Sequence, residues 1–430
     1  MLVVDAGSML FKSQNMTSVQ EEEWILKAEL LMKSQKKLGL DAINVGIKDL
    51  TNGLKFLQDK SKEYKVPYIS SNVVGVDSKE LGFEKYIIQN VSGIKVGIFG
   101  ITQGITPKPR GVDWDVLDFA TSAKETAKEL KEKGCEIIII LADVSKQPFE
   151  KMITSMQEVD FAVLGHDQYR VNPEVVGQTT ILRTRDRGRA IGTLDVGMGT
   201  NNTKPIFTNI TTTKRAYEQT LKRLEKADEN LKTNIQKGLE STKKKLDEET
   251  QNNYYAFELI DMNRSIVDRE DIRTEIDAVT EKVASIAKNK RALKNAGSDP
   301  NRIFVGEKSC KECHTKQHSF WLETGHAHAY AILERENKQF SVDCVGCHVT
   351  GWEEEGGFYQ PKEVGNLKNI QCESCHGPGK FHIESALENR KKTIRRIPNE
   401  QGCLKCHTDE QTDGFNFPVF LEMVACPTGK

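Results

Sequence analysis

Four Cys-x-x-Cys-His pentapeptides lie between Cys310 and His407, and they constrain this chain more than any other feature. They are Cys310-Lys-Glu-Cys313-His314, Cys344-Val-Gly-Cys347-His348, Cys372-Glu-Ser-Cys375-His376 and Cys403-Leu-Lys-Cys406-His407. Two thiols three residues apart project from one turn of chain, so both can form thioethers to the vinyl groups of one porphyrin. The histidine that follows then reaches the iron as its proximal ligand. A redox Cys-x-x-Cys, or a zinc site built from two cysteine pairs, leaves the histidine after every pair unexplained. The pentapeptides therefore predict four covalently bound c-type haems.

The remaining histidines sharpen this. Of nine in the chain, only His166 lies outside the haem segment. His318, His326, His328 and His382 are left over, one spare for each of the irons bound by His314, His348, His376 and His407. A solvated surface histidine is the plain reading of any one of them; together they predict bis-histidine ligation. His326 and His328 are two residues apart and on a helix point about 200° from each other, so they cannot serve the same iron. His318 lies one turn after His314 and is aimed at a neighbouring group. The haems are expected to be close-packed and interlocked.

A longer pattern surrounds these residues. Phe304-Val-Gly306, Trp321-Leu-Glu-Thr-Gly-His-Ala-His-Ala329, Cys347-His-Val-Thr-Gly351, Gly356-Gly-Phe358 and Gln371-Cys-Glu-Ser-Cys-His-Gly-Pro-Gly379 with His382 follow one sequence template from Ile303 to Phe420. It resembles the multihaem cytochrome c family typified by the tetrahaem electron carrier of hydroxylamine oxidation. The resemblance implies tightly stacked haem pairs, and in some members one five-coordinate iron. Members often end in a Gly-His-Gly-like tail, whereas this chain reads Cys426-Pro-Thr-Gly-Lys430 there.

Eight of ten cysteines belong to the pentapeptides. Cys135 stands between a helix and an apolar strand and reads as a buried free thiol; Cys426 could be free, paired or intermolecular. The net charge of −1 gives no argument for nucleic acid or an anionic membrane surface. No apolar run approaches the roughly 18 residues that span a bilayer. Covalent haem attachment takes place outside the cytoplasm, so a periplasmic or otherwise extracytoplasmic protein is expected. Met1-Leu-Val-Val-Asp-Ala-Gly7 reads as a buried strand and turn rather than a secretory signal, which predicts a signal segment and a further strand upstream.

Residues 1–212 alternate strands and helices. Strands are expected at Leu2–Asp5, Ala42–Val45, Tyr68–Val74, Ile137–Leu141 and Phe161–Leu164, with helices at Glu21–Leu38, Gly53–Tyr64, Phe119–Lys133 and Phe149–Gln157. Tyr86–Gln89 and Lys95–Ile101 read as a hairpin turning at Ser92-Gly93. Thr179–Arg183, Arg189–Val196 and Ile206–Ile210 add strands without helices between them. Apolar runs between helices predict a sheet buried on both faces.

The turns carry a second resemblance. Asp5-Ala-Gly-Ser8, Gly46-Ile-Lys-Asp-Leu-Thr-Asn-Gly53, Leu141-Ala-Asp143 and Gly165-His-Asp-Gln168 are similar to the motifs of the 5′-nucleotidase type of metallophosphatase. That likeness implies an α/β metallophosphatase-like sandwich, N-terminally incomplete. Such enzymes use two metals to activate a water and clamp phosphate. At the matching positions Ser8 replaces an aspartate, Ile47 an asparagine, and Lys48, Asp143 and Gln168 histidines, leaving His166. A scaffold without phosphoesterase chemistry, and without non-haem metal, is expected.

Residues 213–296 are rich in Lys, Glu and Asn. Tyr217, Leu221, Leu224, Leu231, Ile235, Leu239 and Leu246, then Ile272, Ile276, Val279, Val283, Ile286 and Leu293, recur at helical spacing. The narrow stripes among mixed charges predict a helical hairpin packed on itself, its first helix about 50 Å long. It would serve as a spacer or as an arm for a homo-oligomer. Asn295–Arg302 leads into a mostly α and irregular tetrahaem cytochrome c domain over 297–430. The chain thus predicts electron transfer with redox partner proteins. Two alternatives stand beside it: a haem enzyme acting on a small nitrogen or sulfur compound at an open iron, and a structural subunit of a larger redox complex.

Overall fold

The computed structural model describes all residues except 15, 17–20, 78–79, 107–110, 166–170, 186–187, 202–205, 264, 293–302, 337, 340–341, 355, 358–363, 409–410, 413–414 and 428–430. It divides into two compact units, Met1–Arg273 and Thr274–Lys430.

The first unit is built on a six-stranded sheet. Ile94–Thr102, Ile137–Asp143, Phe161–Leu164 and Thr179–Leu182 run parallel, with Tyr86–Val91 and Glu174–Val176 antiparallel at the two edges. The strand at Ile137 reads as an unbroken apolar run because both its faces are covered. Ile138, Ile140 and Ala142 face the helices Phe119–Glu132 and Lys146–Ile153, while Ile137 and Leu141 face the opposite core. Asp118 starts the first of these helices by accepting the Thr121 N–H at 2.8 Å. Ile140→Ala should lower stability by about 2–5 kcal/mol through the cavity it leaves, read as a shifted denaturant midpoint with an unchanged m-value.

A small parallel sheet orders Val4–Asp5, Ala42–Asn44 and Tyr68–Ile69, and the helix Glu21–Leu38 buries Trp24, Ala28 and Met32 in its core. The parallel strands of both sheets end near Asp5, Asn44, Thr102, Asp143 and Leu164, so the motif turns gather at their carboxyl ends. In open α/β sheets that is where ligands sit.

Three expectations are corrected. The helix expected at Phe149–Gln157 spans Lys146–Ile153, since Pro148 is tolerated in a first turn. The single helix of about 50 Å is two, Thr211–Glu225 and Glu229–Glu249, because Asp228 takes an extended conformation between them. The segment after them is not all helical. Tyr254–Asp261 is a strand that pairs antiparallel with Ala190–Gly197 along its whole length and parallel with Thr208–Asn209. Tyr255 meets Phe161 edge-on at 5.7 Å, anchoring this third sheet on the main one. The helix Glu270–Ala292 follows, its first turn tied to Lys37 by Asp271 at 3.2 Å. Leu293 and the linker Asn295–Arg302 lie outside the described residues.

Beyond the rest of the helix Glu270–Ala292, the second unit has short helices joined by irregular chain around a small core of Phe304, Tyr330, Leu333, Val345, Val349, Val364 and Leu367.

Candidate haem sites

Each pentapeptide is seated on or beside a short helix: Glu307–Lys311, Val342–Val345, Cys372–His376 and Glu400–Leu404. In the first and fourth the histidine N–H donates to the first cysteine's carbonyl, His314 to Cys310 and His407 to Cys403, both at 2.9 Å. That single turn turns two sulfurs and a ring to one side, which is what one porphyrin edge and its iron require.

The pentapeptides lie against one another, the third beside the fourth as well as the first, and burial, helped by Cys403, raises the Cys375 thiol. The Cys310 thiol is hydrogen-bonded to Cys372, and this with burial holds it far above the usual thiol range. Cys406 is held up in the same way by Cys347. The first pentapeptide therefore adjoins the third, and the second adjoins the fourth. No disulfide joins any of the ten cysteines; Cys135 is buried and Cys426 exposed.

The histidines pair as well. The rings of His314 and His382 are 6.3 Å apart and 27° from parallel, and those of His326 and His407 are 6.2 Å apart at 55°. Two imidazoles sharing one metal have centres about 6 Å apart, from two metal–nitrogen bonds of about 2 Å and about 1 Å from nitrogen to ring centre on each side. Four rings direct Nδ1 at an oxygen: His348 at Ala329 O (2.5 Å), His376 at Arg395 O (2.7 Å), His382 at Arg390 O (2.9 Å) and His407 at Thr412 Oγ1 (2.9 Å). A ring that donates through Nδ1 keeps the Nε2 lone pair for a metal. Burial lowers the pKa of His407, and burial with the nearby His407 lowers that of His326, so both favour the neutral, ligating form.

The other two spare histidines are engaged elsewhere. His318 is buried with Nε2 2.5 Å from Glu307 Oε2, and His328 is exposed with Nε2 3.0 Å from the Leu322 carbonyl. His326 and His328 share one 3₁₀ turn, Gly325–His328, and do part company as their spacing requires.

A polar frame that the sequence reading missed aligns the pentapeptides. Glu373, inside the third, is 2% exposed and accepts the N–H groups of Val305 (3.0 Å), Gly306 (2.8 Å) and Gly379 (2.6 Å). Gln371 accepts the Glu307 N–H at 2.7 Å and donates to the carbonyls of Asn366 and Lys368, both at 2.7 Å. The Thr350 hydroxyl accepts from Gln371 N at 2.8 Å and donates to Asn369 O at 2.9 Å. The only sequence signal was that polar Gln371 and Glu373 flank Cys372 where solvated side chains would do.

At the carboxyl ends of the first unit's strands, the phosphatase-like turns close on each other. Ser8, at φ 62°, donates its hydroxyl to Asp143 Oδ2 at 2.7 Å, and the Ile47 N–H donates to the same oxygen at 2.6 Å. Asp49 accepts Ser8 N, Gly46 N and Leu10 N at 2.8–2.9 Å. Burial still pushes Asp49 up to about 7 and Asp5 to about 6. Gly46 must be glycine, since a Cβ there would stand 2.1 Å from Ser8 N. Gly165 is described; His166 and Gln168 lie outside the described residues.

Residues 309–377 match the family model for cytochrome c554 and c-prime. Cytochrome c-554 of Nitrosomonas europaea is 38% identical over 134 residues, covering 24% of this chain and 57% of that protein. The 5′-nucleotidase of Vibrio cholerae is 30% identical over 128 residues, covering 29% of this chain and 23% of the relative. A 5′-nucleotidase precursor of Thermus thermophilus aligns in structure with a TM-score of 0.46 and 17% identity, over 66% of this chain and 50% of the other. This chain thus spans a little over half of the cytochrome and under a quarter of the curated nucleotidase. The C-terminal region is a c-type cytochrome region similar to cytochrome c554, and covalently bound c-type haem is its implied cofactor. The N-terminal region is similar to 5′-nucleotidase-type metallophosphatases.

Proposed function

We propose that this chain is a tetrahaem electron-transfer protein whose haem-bearing part, from about residue 297 on, is joined to a metallophosphatase-like unit without phosphoesterase chemistry. Bound haem supplies reversible one-electron chemistry. The chain's own part is to fix position and ligation. Cys310/Cys313, Cys344/Cys347, Cys372/Cys375 and Cys403/Cys406 would hold the macrocycles, with His314, His348, His376 and His407 as proximal ligands. His382 would complete the iron on His314, and His326 that on His407. The observation that carries the reading is the two ring pairs at 6.2–6.3 Å, each joining a pentapeptide histidine to a spare one. An iron saturated by two imidazoles need not change ligands when it changes charge, which suits electron exchange. Since thioether formation occurs outside the cytoplasm, the protein is placed in the periplasm or an equivalent compartment. Among the described residues no helix is long and apolar enough to cross a membrane.

The purified protein should contain four haems by pyridine haemochrome and four irons, without stoichiometric zinc or manganese. Two non-haem metals per chain, with a phosphatase activity lost on chelation, would reverse the reading of the first unit. Support for a metal-free first unit comes from Asp143 Oδ2, already taken by Ser8 and Ile47.

A second reading is an enzyme at an open iron. It is favoured by His348 and His376, against which no spare histidine is stacked among the described residues. A high-spin signal that shifts when nitric oxide or hydroxylamine binds to the unmodified protein would move this reading ahead.

A further inference from the structure

The chain between the third and fourth pentapeptides carries a dense run of charge. From Leu387 to Ile397 there are five cations, Arg390, Lys391, Lys392, Arg395 and Arg396, against the single anion Glu388, in a chain of net charge −1. Lys391, Lys392, Arg395 and Arg396 are exposed, and among the described residues none of them is in an ion pair. Leu387 and Ile397, at the two ends, are 77% and 71% exposed.

A basic run is ordinarily a solvated face. This one is distinguished by what its backbone holds. The Arg395 carbonyl is the partner of His376 Nδ1 at 2.7 Å, and the Arg395 N–H donates to the His376 carbonyl at 3.0 Å. The Arg390 carbonyl is the partner of His382 Nδ1 at 2.9 Å. Within this run, Arg395, one of the exposed cations, thus anchors one candidate ligand ring, and Arg390, whose guanidinium is turned onto the Ser385 and Ile383 carbonyls, anchors a second, on two adjoining pentapeptide sites.

We propose that Leu387–Ile397 is the docking surface for an acidic face of a redox partner protein; this rests on the electron-transfer reading above. Unpaired cations attract an acidic partner at long range and speed encounter, an effect that salt screens. The exposed leucine and isoleucine offer the apolar contact of a small, transient redox interface, under about 1,200 Å² in total. A protein docked on these side chains stands one residue's backbone from His376 and His382. A basic cluster of this size also suits an anionic membrane surface, but that surface gains nothing from the hold on two ligand rings.

The test compares the holoprotein with a Lys391→Glu/Lys392→Glu/Arg396→Glu variant in stopped flow. The reductants are reduced plant-type ferredoxin, as the acidic protein probe, and reduced lumiflavin, as a small neutral one. For the unmodified protein the ferredoxin rate constant should fall steeply between about 10 mM and about 0.5 M salt. At low salt the variant should be at least about tenfold slower and lose that salt dependence, with its spectrum and lumiflavin rate unchanged. Equal ferredoxin rates and salt slopes, with lumiflavin reducing both proteins, would overturn the docking surface and leave the electron-transfer reading standing. Equal ferredoxin rates together with loss of binding to phosphatidylglycerol vesicles would overturn it in favour of a membrane. A holoprotein that neither reagent reduces would remove both inferences.

Discussion

Replacing His382 by alanine is expected to turn one haem from low-spin to high-spin and open it to carbon monoxide. The ring of His382 lies 6.3 Å from that of His314, at 27°, with its Nδ1 fixed by the Arg390 carbonyl. Removing it deletes a strong-field ligand from an iron that keeps His314, and no other spare histidine is positioned to replace it: His318 is held by Glu307 and His328 by Leu322. His326→Ala should do the same to the iron on His407, while His318→Ala and His328→Ala should leave the spin state as it was. The double variant lacking His326 and His382 should then show two more high-spin haems than the unmodified protein, because the two pairs share no residue. Optical and EPR spectra of the oxidised protein, with a carbon monoxide difference spectrum of the reduced one, read all of these. A His382→Ala protein with an unaltered spectrum would show that the pairing is not a ligation.

How far these features were legible depends on whether the signal is local. A pentapeptide holds two thiols and a ring within one turn, so its chemistry is visible wherever the chain goes. The run Ile137–Leu141 announces a doubly covered strand, because burial on both faces leaves no polar position. The helix Glu21–Leu38 is likewise bounded as its periodicity suggests, with acidic residues in its first turn and lysines in its last. Tyr254–Asp261 was hidden for the opposite reason. Its partner Ala190–Gly197 lies far back in sequence, and the lysine- and glutamate-rich helices between them set the local composition.

The spare histidines show the same limit at the level of a site. Counting gave one per iron, yet which ring meets which is decided by long-range packing. His314 meets a residue after the third pentapeptide, and His407 meets one between the first and second. Spacing alone separated His326 from His328 but could not show that Glu307 would draw in His318. In the first unit, the replacements at Ser8 and Ile47 were readable one by one. What could not be read is that the Ser8 hydroxyl and the Ile47 backbone N–H would meet on one oxygen of Asp143.

Glu373 is where the second unit should be most vulnerable. Its carboxylate, deep in the third pentapeptide, gathers N–H groups from Val305, Gly306 and Gly379, and so ties the approach to Cys310 to the exit from His376. Glu373→Ala would leave these donors facing a void. Hydrogen bonds to a charged acceptor contribute about 1.5–3 kcal/mol each, partly offset here by release of a buried charge, so a loss on the order of 4 kcal/mol is expected. In a unit of this size that corresponds to a fall in Tm of about 10 °C. Glu373→Gln should lose less than alanine but still destabilise, because its amide NH₂ must face a donor where a carboxylate oxygen accepted one. The pH dependence separates the charge from the shape. Burial raises the Glu373 carboxyl above its ordinary value of 4.5, against the pull of the three N–H donors. The folded chain therefore binds this proton more tightly than the unfolded one. The stabilisation from proton binding is complete below the unfolded value and is lost as pH rises through the folded one. The Tm of the unmodified protein should carry this decline across the acid range, and the glutamine variant should lack it, so that the gap between the two narrows as pH rises. A gap that stays constant across that range would mean that Glu373 is ionised with equal ease in both states, and that its hold on Val305, Gly306 and Gly379 is strong enough to cancel the cost of its burial.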